Sequence, residues 1–227
     1  FKPAPAIEAL PTEYLQSELP DQLDGMPVLG ISDADLLPVS FEPSGTLMIS
    51  GGPQSGRSTA LAGLALSLRR WDPDIYMIYF GNKRSNLPSV IDWDEQYLTA
   101  QDVAERSQTL AAQIDDIRAD KCAVFVEGLA DFNSMPTDSA VAGLFKVMRR
   151  SEHLVVAESE SHTWTSGFPI FAEMKSNRRG LLLQPESHDG EGLLRTATPR
   201  VNRTEFPPGR GFWIARGRVS RVQLPLI

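Results

Sequence analysis

The sequence predicts a three-layer α/β fold, in which a mostly parallel sheet lies between helices and ends in an antiparallel C-terminal hairpin. Three observations carry this prediction. A strand at residues 46–50 runs directly into a glycine-rich loop and a helix at 60–71, and apolar runs of strand length then alternate with helical segments. Two short strands close the chain around Arg216, Gly217 and Arg218. Because parallel neighbours need crossover connections, this alternation predicts helices on both faces of the sheet.

The N-terminal part of the chain is predicted as a linker followed by a strand pair. Residues 1–25 contain four prolines, at positions 3, 5, 11 and 20, and show little periodicity apart from a short helix expected at 13–19. We expect this segment to lie outside the core, and residues 26–227 to form the domain. Residues 28–31 and 37–41 are short, β-leaning segments that we expect to pair beside the main sheet.

The remaining elements follow from apolar patterning. Asp72 and Pro73 end the first helix, and the apolar run at 75–80 is typical of a parallel strand that is covered on both faces. Val103, Leu110, Ile114 and Ile117 have helical spacing, and Thr137 is the expected N-cap of a further helix. The predicted helices are 103–117 and 137–150, the predicted strands 122–126, 154–157 and 180–184, and the predicted hairpin 211–215 with 219–224.

The composition excludes several classes of protein. Hydrophobic residues make up 41% of the 227 residues and charged residues 22%, which is typical of a globular chain and excludes collagen-like, coiled-coil and largely disordered proteins. No apolar run reaches the roughly 20 residues that span a bilayer. The single cysteine, Cys122, and three scattered histidines exclude a disulfide scaffold and a zinc module. Since one cysteine permits no disulfide within the chain, we expect a reducing compartment. The first residue is Phe1, so we expect a piece of a longer protein.

The charge is distributed unevenly. Residues 175–227 contain ten basic and four acidic residues, whereas residues 1–174 contain 12 basic and 25 acidic ones. The total of −7 disfavours sequence-independent binding to nucleic acid, because such binding depends on neutralising phosphates. Only the C-terminal quarter has the charge to face phosphates.

The glycine-rich loop matches the phosphate-binding pattern G-x-x-x-x-G-K-[ST] at every fixed position except one, where Arg57 replaces the lysine. Backbone N–H groups at the start of a helix form an anion site, and Ser58 supplies a hydroxyl for Mg²⁺. Arginine carries a wide planar fork instead of a compact charge, so phosphate binding can persist while catalysis suffers. A glycine turn without a ligand is the alternative. The predicted ATP-binding residues are Gly51, Gly52, Pro53, Gln54, Ser55, Gly56, Arg57, Ser58 and Thr59.

The second nucleotide-site element is expected at the end of the strand at 122–126. Glu127 occupies the metal-side position, so Ser58 and Glu127 are the candidate Mg²⁺ ligands, but Gly128 stands where a catalytic carboxylate is needed. Asp131 is interpreted as a solvated loop carboxylate, and Glu127 could equally be a strand-end carboxylate without a metal. Glu158 and Ser159 end the next strand, at a position suited to sensing the terminal phosphate.

Two further segments carry candidate contacts. Arg178 and Arg179 are candidates for a finger that reaches a neighbouring subunit's nucleotide, with a solvated basic pair as the alternative. The loop at 159–171 is apolar beyond what a surface loop needs. It can line a groove for the apolar face of a partner helix, or tuck under the sheet as additional core. The partner-binding candidates in this loop are Trp164, Phe168, Ile170 and Phe171.

Four motifs together resemble the additional-strand P-loop ATPases of the FtsK/SpoIIIE group. They are Val28-Leu29-Gly30-Ile31 with Leu37-Pro38-Val39, the loop at 51–59, Val124 to Gly128, and Pro207-Pro208-Gly209-Arg210-Gly211 leading to Val222-Gln223-Leu224. The entry and the exit of the domain are especially similar to the C-terminal ATPase modules of EccC/EssC, the motor proteins of type VII (ESX) secretion. The resemblance covers residues 26–227.

The resemblance implies a RecA-like P-loop fold in the cytoplasmic part of a membrane-anchored protein with several ATPase modules in one chain. It implies hexamers, and either small helical secreted proteins with a C-terminal signal or double-stranded DNA as cargo. Downstream modules of the secretion branch often have degenerate nucleotide sites and bind substrate signals or regulate the first module. Arg57, Glu127 and Gly128 depart from the active pattern in that direction.

Two functions therefore stand as hypotheses. The first is a degenerate module of a type VII secretion translocase, with weak or no ATP binding, low Mg²⁺ occupancy and little or no hydrolysis. The alternative is a DNA-translocating ATPase module of the chromosome-segregation type. Loss of a P-loop lysine and of a general base each costs about 10²–10³-fold in rate, which favours the first hypothesis. The acidic charge of residues 1–174 favours it as well.

Overall fold

A computed structural model describes residues 9–114 and 121–227 of the chain, and it confirms the predicted fold class. The strands are β1 (Gln22–Leu23), β2 (Met26–Ser32), β3 (Pro38–Ser40), β4 (Gly45–Gly51), β5 (Tyr76–Phe80), β6 (Glu95–Tyr97), β7 (Cys122–Val126), β8 (Leu154–Glu160), β9 (Gly180–Leu183), β10 (Arg210–Ala215) and β11 (Arg218–Gln223). The helices are α1 (Arg57–Trp71), α2 (Leu87–Val90), α3 (Ala100–Gln113), α4 (Thr137–Arg150), α5 (Pro169–Lys175) and α6 (Asp189–Leu194).

Within the described residues these strands form one sheet in the order β1-β2-β11-β10-β9-β4-β8-β7-β5-β6, with β3 paired to β2. The six strands from β9 to β6 are parallel, and the strands on the other side of β9 are antiparallel. The strands predicted at 46–50, 154–157, 122–126 and 75–80 lie side by side and parallel, as a mostly parallel sheet requires, and the predicted C-terminal hairpin is present. β4 lies at the centre, between β8 and β9, and its carboxyl end carries the glycine loop.

Apolar residues alternate between the two faces of the central strands, and each face is covered by helices. On one face Met48, Val124 and Val155 pack with residues of α3, α4 and α5. On the other face Leu47 and Phe125 pack with residues of α1. This is the predicted three-layer arrangement, and it explains why strands buried on both sides appear in the sequence as continuous apolar runs.

The N-terminal segment departs from the expectation that it stays out of the core. Leu10, Tyr14 and Leu19 are buried, and the Tyr14 hydroxyl donates a hydrogen bond to the Gln223 carbonyl oxygen at 2.6 Å. The expected helix at 13–19 is a single 3₁₀ turn, Gln16–Glu18. Prolines separate the apolar side chains here, so the segment packs without regular structure. Positions 3 and 5 lie outside the described residues.

One helix expectation needs correction at its first residue, and the end of another lies outside the described residues. α4 begins at Thr137 as predicted, but the Thr137 side chain does not cap it, because Pro136 occupies the N-cap position. The Thr137 hydroxyl instead faces the Ala100 carbonyl oxygen at 3.4 Å, which ties α4 to the start of α3. Of the helix predicted at 103–117, the part at 115–117 lies outside the described residues.

We expect the domain to lose stability as the pH falls below about 6.5, partly through His153. Its imidazole is 4% exposed and accepts a hydrogen bond from the Cys122 N–H at 3.1 Å. Burial lowers the pKa of His153 below its ordinary value of 6.5, so in acid the unfolded chain binds a proton that the folded chain does not. In chemical-denaturation curves from pH 5 to 7, His153→Asn should flatten this dependence, whereas the exposed His162→Asn should not. An unchanged slope in His153→Asn would contradict the assignment.

Candidate functional site

The glycine loop joins β4 to α1 in a conformation that phosphate-binding loops use. Gly56 precedes the helix with φ 95°, and Gln54 has φ 62°, so both residues adopt the left-handed region. The Ala60 N–H already donates to the Gly56 carbonyl oxygen at 2.8 Å. The first N–H groups of a helix have no partner within the helix, so those of Arg57, Ser58 and Thr59 are available to an anion. The backbone of the loop is therefore compatible with a phosphate.

The C-terminal segment supports this loop from behind. The Gly209 N–H donates to the Ser55 carbonyl oxygen at 3.1 Å, and a Cβ added to Gly56 would lie 3.2 Å from the Gly209 nitrogen. A Cβ at Gly51 would lie 2.3 Å from the Ser55 hydroxyl. Larger residues at the two loop glycines would therefore displace the loop. The predicted Pro-Pro-Gly motif thus acts as a structural support of the loop.

Arg57, in the position of the missing lysine, is paired with carboxylates. One guanidinium nitrogen lies 3.3 Å from Glu158 Oε2, and the other lies 3.7 Å from Glu160 Oε1. Its side chain is 18% exposed. The charge that should face phosphate is already compensated within the chain.

Glu158 is the more deeply buried of the two carboxylates. It is 4% exposed, and its Oε1 accepts a hydrogen bond from the Gly128 N–H at 2.6 Å. Burial raises the pKa of Glu158, and the nearby Arg57 guanidinium and the Gly128 N–H oppose this shift. The predicted phosphate sensor therefore holds an internal ion pair.

Glu127 is held by a tyrosine. The buried Tyr79 hydroxyl, from the neighbouring strand β5, donates a hydrogen bond to Glu127 Oε2. Burial is the main reason that the pKa of Tyr79 is raised, and the Glu127 carboxylate adds to it. Ser58, the other predicted metal ligand, is exposed at the start of α1.

These side chains do not fit Mg²⁺-ATP well, although the loop backbone fits a phosphate. Within the described parts of the chain, no three His, Cys, Asp or Glu side chains are grouped to hold a metal ion. Gly128 offers no base, and Asp131 is exposed in the following turn, as interpreted from the sequence. Ser159, the second sensor candidate, shares a hydrogen bond with the Thr163 hydroxyl at 2.7 Å. Glu127, Glu158 and Ser159 are therefore each held by another group of the chain.

The apolar loop at 159–171 is mostly core, which is the second of the two interpretations that the sequence leaves open. Trp164, Ile170 and Phe171 are fully buried, and the Trp164 and Phe171 rings meet edge to face with centroids 5.5 Å apart. The loop tucks under the sheet because its aromatic rings find apolar partners on α4. Phe168 is 40% exposed, so of the four candidates it alone presents a large surface to a partner.

The two arginines before β9 have different environments. Arg179 is 6% exposed and donates to the backbone carbonyl oxygens of Thr46, Glu42 and Ser44, so it cannot serve as a finger. Its guanidinium is needed to satisfy carbonyl groups at the amino end of β4. Arg178 is exposed and precedes β9, so it lies near the amino ends of the parallel strands, whereas the glycine loop follows the carboxyl end of β4.

Sequence reasoning missed two residues of this site, Glu160 and Tyr79. In the parallel pairing of β4 with β8, Ile49 lies beside Glu158 and Gly51 beside Glu160. Residues two apart on a strand share a face, so the spacing of the two glutamates was a usable signal. Tyr79 gave no comparable signal, because a tyrosine in an apolar strand reads as core.

Similarity to known proteins is found in the fold. A scan against protein-family models and a search of curated proteins found no match. Among solved structures, the cytoplasmic domain of the type VII secretion ATPase EccC from Thermomonospora curvata aligns with a TM-score of 0.81 at 16% identity, covering 99% of this chain and 29% of that one. EssC ATPases 2 and 3 from Geobacillus thermodenitrificans align with a TM-score of 0.77 at 18% identity, covering 96% and 45%.

A third solved structure contains EccC ATPases 2 and 3 of Thermomonospora curvata in complex with a signal sequence peptide. It aligns with a TM-score of 0.80 at 16% identity, covering 99% of this chain and 45% of that one. This chain thus spans less than half of the length of these solved chains. Among its described residues, no helix combines the length and apolar character that crossing a bilayer requires. The chain has the RecA-like P-loop fold of the ATPase domains of the type VII secretion proteins EccC and EssC.

Proposed function

We propose that this chain is a degenerate ATPase module of a type VII secretion translocase, which binds ATP weakly or not at all and acts in substrate-signal recognition, assembly or regulation. The ion pairing of Arg57 with Glu158 and Glu160 is the observation that carries the proposal. In the whole protein the module would belong to the cytoplasmic part of a membrane-anchored hexamer, beside other ATPase modules of the same chain.

The chemistry of phosphoryl transfer explains why this observation matters. Transfer depends on positive charge that stabilises the phosphates and on a group that orients the attacking water. Here the one cation of the loop is paired with two carboxylates, and the position after Glu127 is a glycine. A module with these features retains the fold while losing both contributions.

A module that does not hydrolyse ATP would contribute to the translocase by binding a partner on its surface. One of the similar solved structures holds a signal sequence peptide, and we propose the same class of partner for this chain: the C-terminal signal of a small helical secreted protein. Phe168, the exposed member of the apolar loop, is our candidate contact.

The DNA-translocase alternative depends on the basic C-terminal quarter, and side-chain pairing weakens it. Arg221 is bonded to Asp33 and Glu205, and Arg216 to Glu42. Arg210 donates to the carbonyl oxygens of Leu10 and Pro11. Arg210 and Arg221 are thus engaged within the fold, which lowers the positive charge that this segment can direct at phosphates, so we favour the secretion module.

We expect ATP hydrolysis by the isolated domain to remain at background, about 10²–10³-fold or more below that of an intact P-loop enzyme. Arg57→Lys alone should not restore it, since Glu158 and Glu160 would pair with the lysine and the base would still be absent. Phosphate release, measured with Mg²⁺ and with Ser58→Ala as the matched control, tests this. Turnover by the wild-type domain that disappears in Ser58→Ala would refute the proposal.

A further inference from the structure

We propose that Glu158 and Glu160 are resident anions of the glycine loop, which hold Arg57 and thereby keep phosphate out of an otherwise competent loop backbone. This inference deepens the proposed function and rests on it, because it names the cause of the weak nucleotide binding. A simple loss of the lysine would leave the loop without a suitable cation. In the arrangement proposed here the glutamates block the loop, so removing their charge should restore phosphate binding.

The pairing of β4 with β8 brings the two glutamates to the loop. Register places Glu158 beside Ile49 and Glu160 beside Gly51, the first glycine of the loop. Their side chains share one face of β8 at its carboxyl end. Arg57, at the first position of α1, reaches both of them, at 3.3 and 3.7 Å. Two carboxylates thus meet the guanidinium where the oxygens of a phosphate would be expected to meet it.

The two oxygens of the Glu158 carboxylate have different surroundings. Its Oε1 accepts the Gly128 N–H, whereas its Oε2, which faces Arg57, is buried and accepts no hydrogen bond from any described residue. A buried carboxylate oxygen without partners is costly, so the charge of Arg57 is what compensates it. The Ser55 hydroxyl in the loop is also buried, and it has no hydrogen-bond partner in the described part of the chain. Two buried oxygen atoms of the site thus lack hydrogen bonds to the described residues, and for one of them, Glu158 Oε2, the charge of Arg57 compensates.

The balance of charge explains the exclusion of a free anion. Guanidinium groups bind carboxylates and phosphates by the same planar donor fork, so the two anions compete for Arg57. The carboxylates are tethered, and a phosphate would have to approach two negative charges besides displacing them. Neutralising both glutamates should leave a cation and a helix start directed at an empty anion site, which suits an inorganic phosphate chain or a nucleoside triphosphate.

The test is a gain of binding. We would titrate a fluorescent methylanthraniloyl-ATP, with and without Mg²⁺, into the wild-type domain, Glu158→Gln, Glu160→Gln and the double variant. Glutamine keeps the acceptor for the Gly128 N–H and removes the charge. The double variant should bind at least about tenfold more tightly than wild type, and adding Arg57→Ala should remove the gain. Glu152→Gln, an exposed site at the other end of β8, should change nothing.

Competition with pyrophosphate separates the two ligand sources. Displacement of the probe by pyrophosphate shows that the loop recovers phosphate binding in general. Displacement by ATP but not by pyrophosphate shows that the adenosine part contributes to binding. Either outcome supports the proposal when the gain in affinity depends on Arg57. A folded double variant that binds no better than wild type overturns it and leaves the proposed function intact. If Glu158→Gln does not fold, the half-exposed Glu160→Gln decides, since it should bind more tightly than wild type.

Wild-type behaviour distinguishes the remaining possibilities. Tight binding of the probe by the wild-type domain without hydrolysis overturns this inference, because the resident anions would then fail to exclude phosphate, and it also contradicts the weak ATP binding in the proposed function while leaving the rest of that proposal standing. Tight binding together with hydrolysis that depends on Ser58 overturns the proposed function as well.

Discussion

Replacing Trp164 with alanine is expected to lower the free energy of unfolding by about 3–5 kcal/mol, because the substitution leaves a large cavity in the core. The indole is fully buried, packs edge to face on Phe171, and donates its Nε1–H to the Ser159 carbonyl oxygen at 3.1 Å. Alanine would leave that buried carbonyl without its partner. Urea denaturation followed by circular dichroism measures the loss.

Phe168→Ala is the matched control, from the same loop and with a similar loss of side-chain volume. Phe168 is 40% exposed, so its removal should cost no more than about 1 kcal/mol. The pair also tests the proposed partner surface: affinity for a signal peptide should fall in Phe168→Ala while the fold remains intact. Equal destabilisation by the two substitutions would contradict the assignment of Trp164 to the core and Phe168 to the surface.

The parallel core could be predicted because its strands carry a strong local signal. Residues 75–80 and 122–126 are continuous apolar runs bounded by helices, and right-handed crossovers leave few ways to arrange them. The packing of the segment before β2 was missed for the opposite reason. Tyr14 is buried through contacts with the far end of the chain, among them the bond to Gln223, and local patterning carries no information about such a contact.

The candidate site likewise has a part that could be predicted from local sequence and a part that depends on strand pairing. The loop at 51–59 is a contiguous motif whose physics resides in its own backbone, so its position and its missing lysine were visible in the sequence. The pairing of Arg57 with Glu158 joins residues about 100 positions apart and depends on the register of β4 with β8. The bond from Tyr79 to Glu127 depends likewise on the pairing of β5 with β7.

The loop at 159–171 shows what composition alone leaves open. Its apolar residues predict burial, but both a groove for a partner and a satellite of the core satisfy that prediction. The chain resolves the ambiguity with α5, whose first residues pack on α4: the Ile170 N–H donates to Asp138 Oδ1 at 3.2 Å. Trp164, Ile170 and Phe171 are buried in this arrangement, and Phe168 remains exposed.

Arg179→Met should destabilise the domain by about 3–5 kcal/mol, although methionine fills most of the same volume. The Arg179 guanidinium lies at the amino end of β4, where it donates to the carbonyl oxygens of Thr46 at 3.3 Å and Glu42 at 2.8 Å, and also to that of Ser44. Methionine has no donor, so these carbonyl groups lose their shared partner. Burial lowers the pKa of Arg179 to about 10, which still leaves the side chain charged at neutral pH.

Arg178→Met separates this structural role from an inter-subunit one. Arg178 is exposed, so the same substitution there should change the free energy of unfolding by no more than about 0.5 kcal/mol. Both variants would be compared in urea denaturation at two protein concentrations a hundredfold apart. A large loss in Arg179→Met that does not depend on concentration places the arginine in its own domain, because contacts between subunits weaken on dilution whereas contacts within one chain do not. Loss of stability only at the higher concentration would instead indicate that Arg179 makes a contact between subunits.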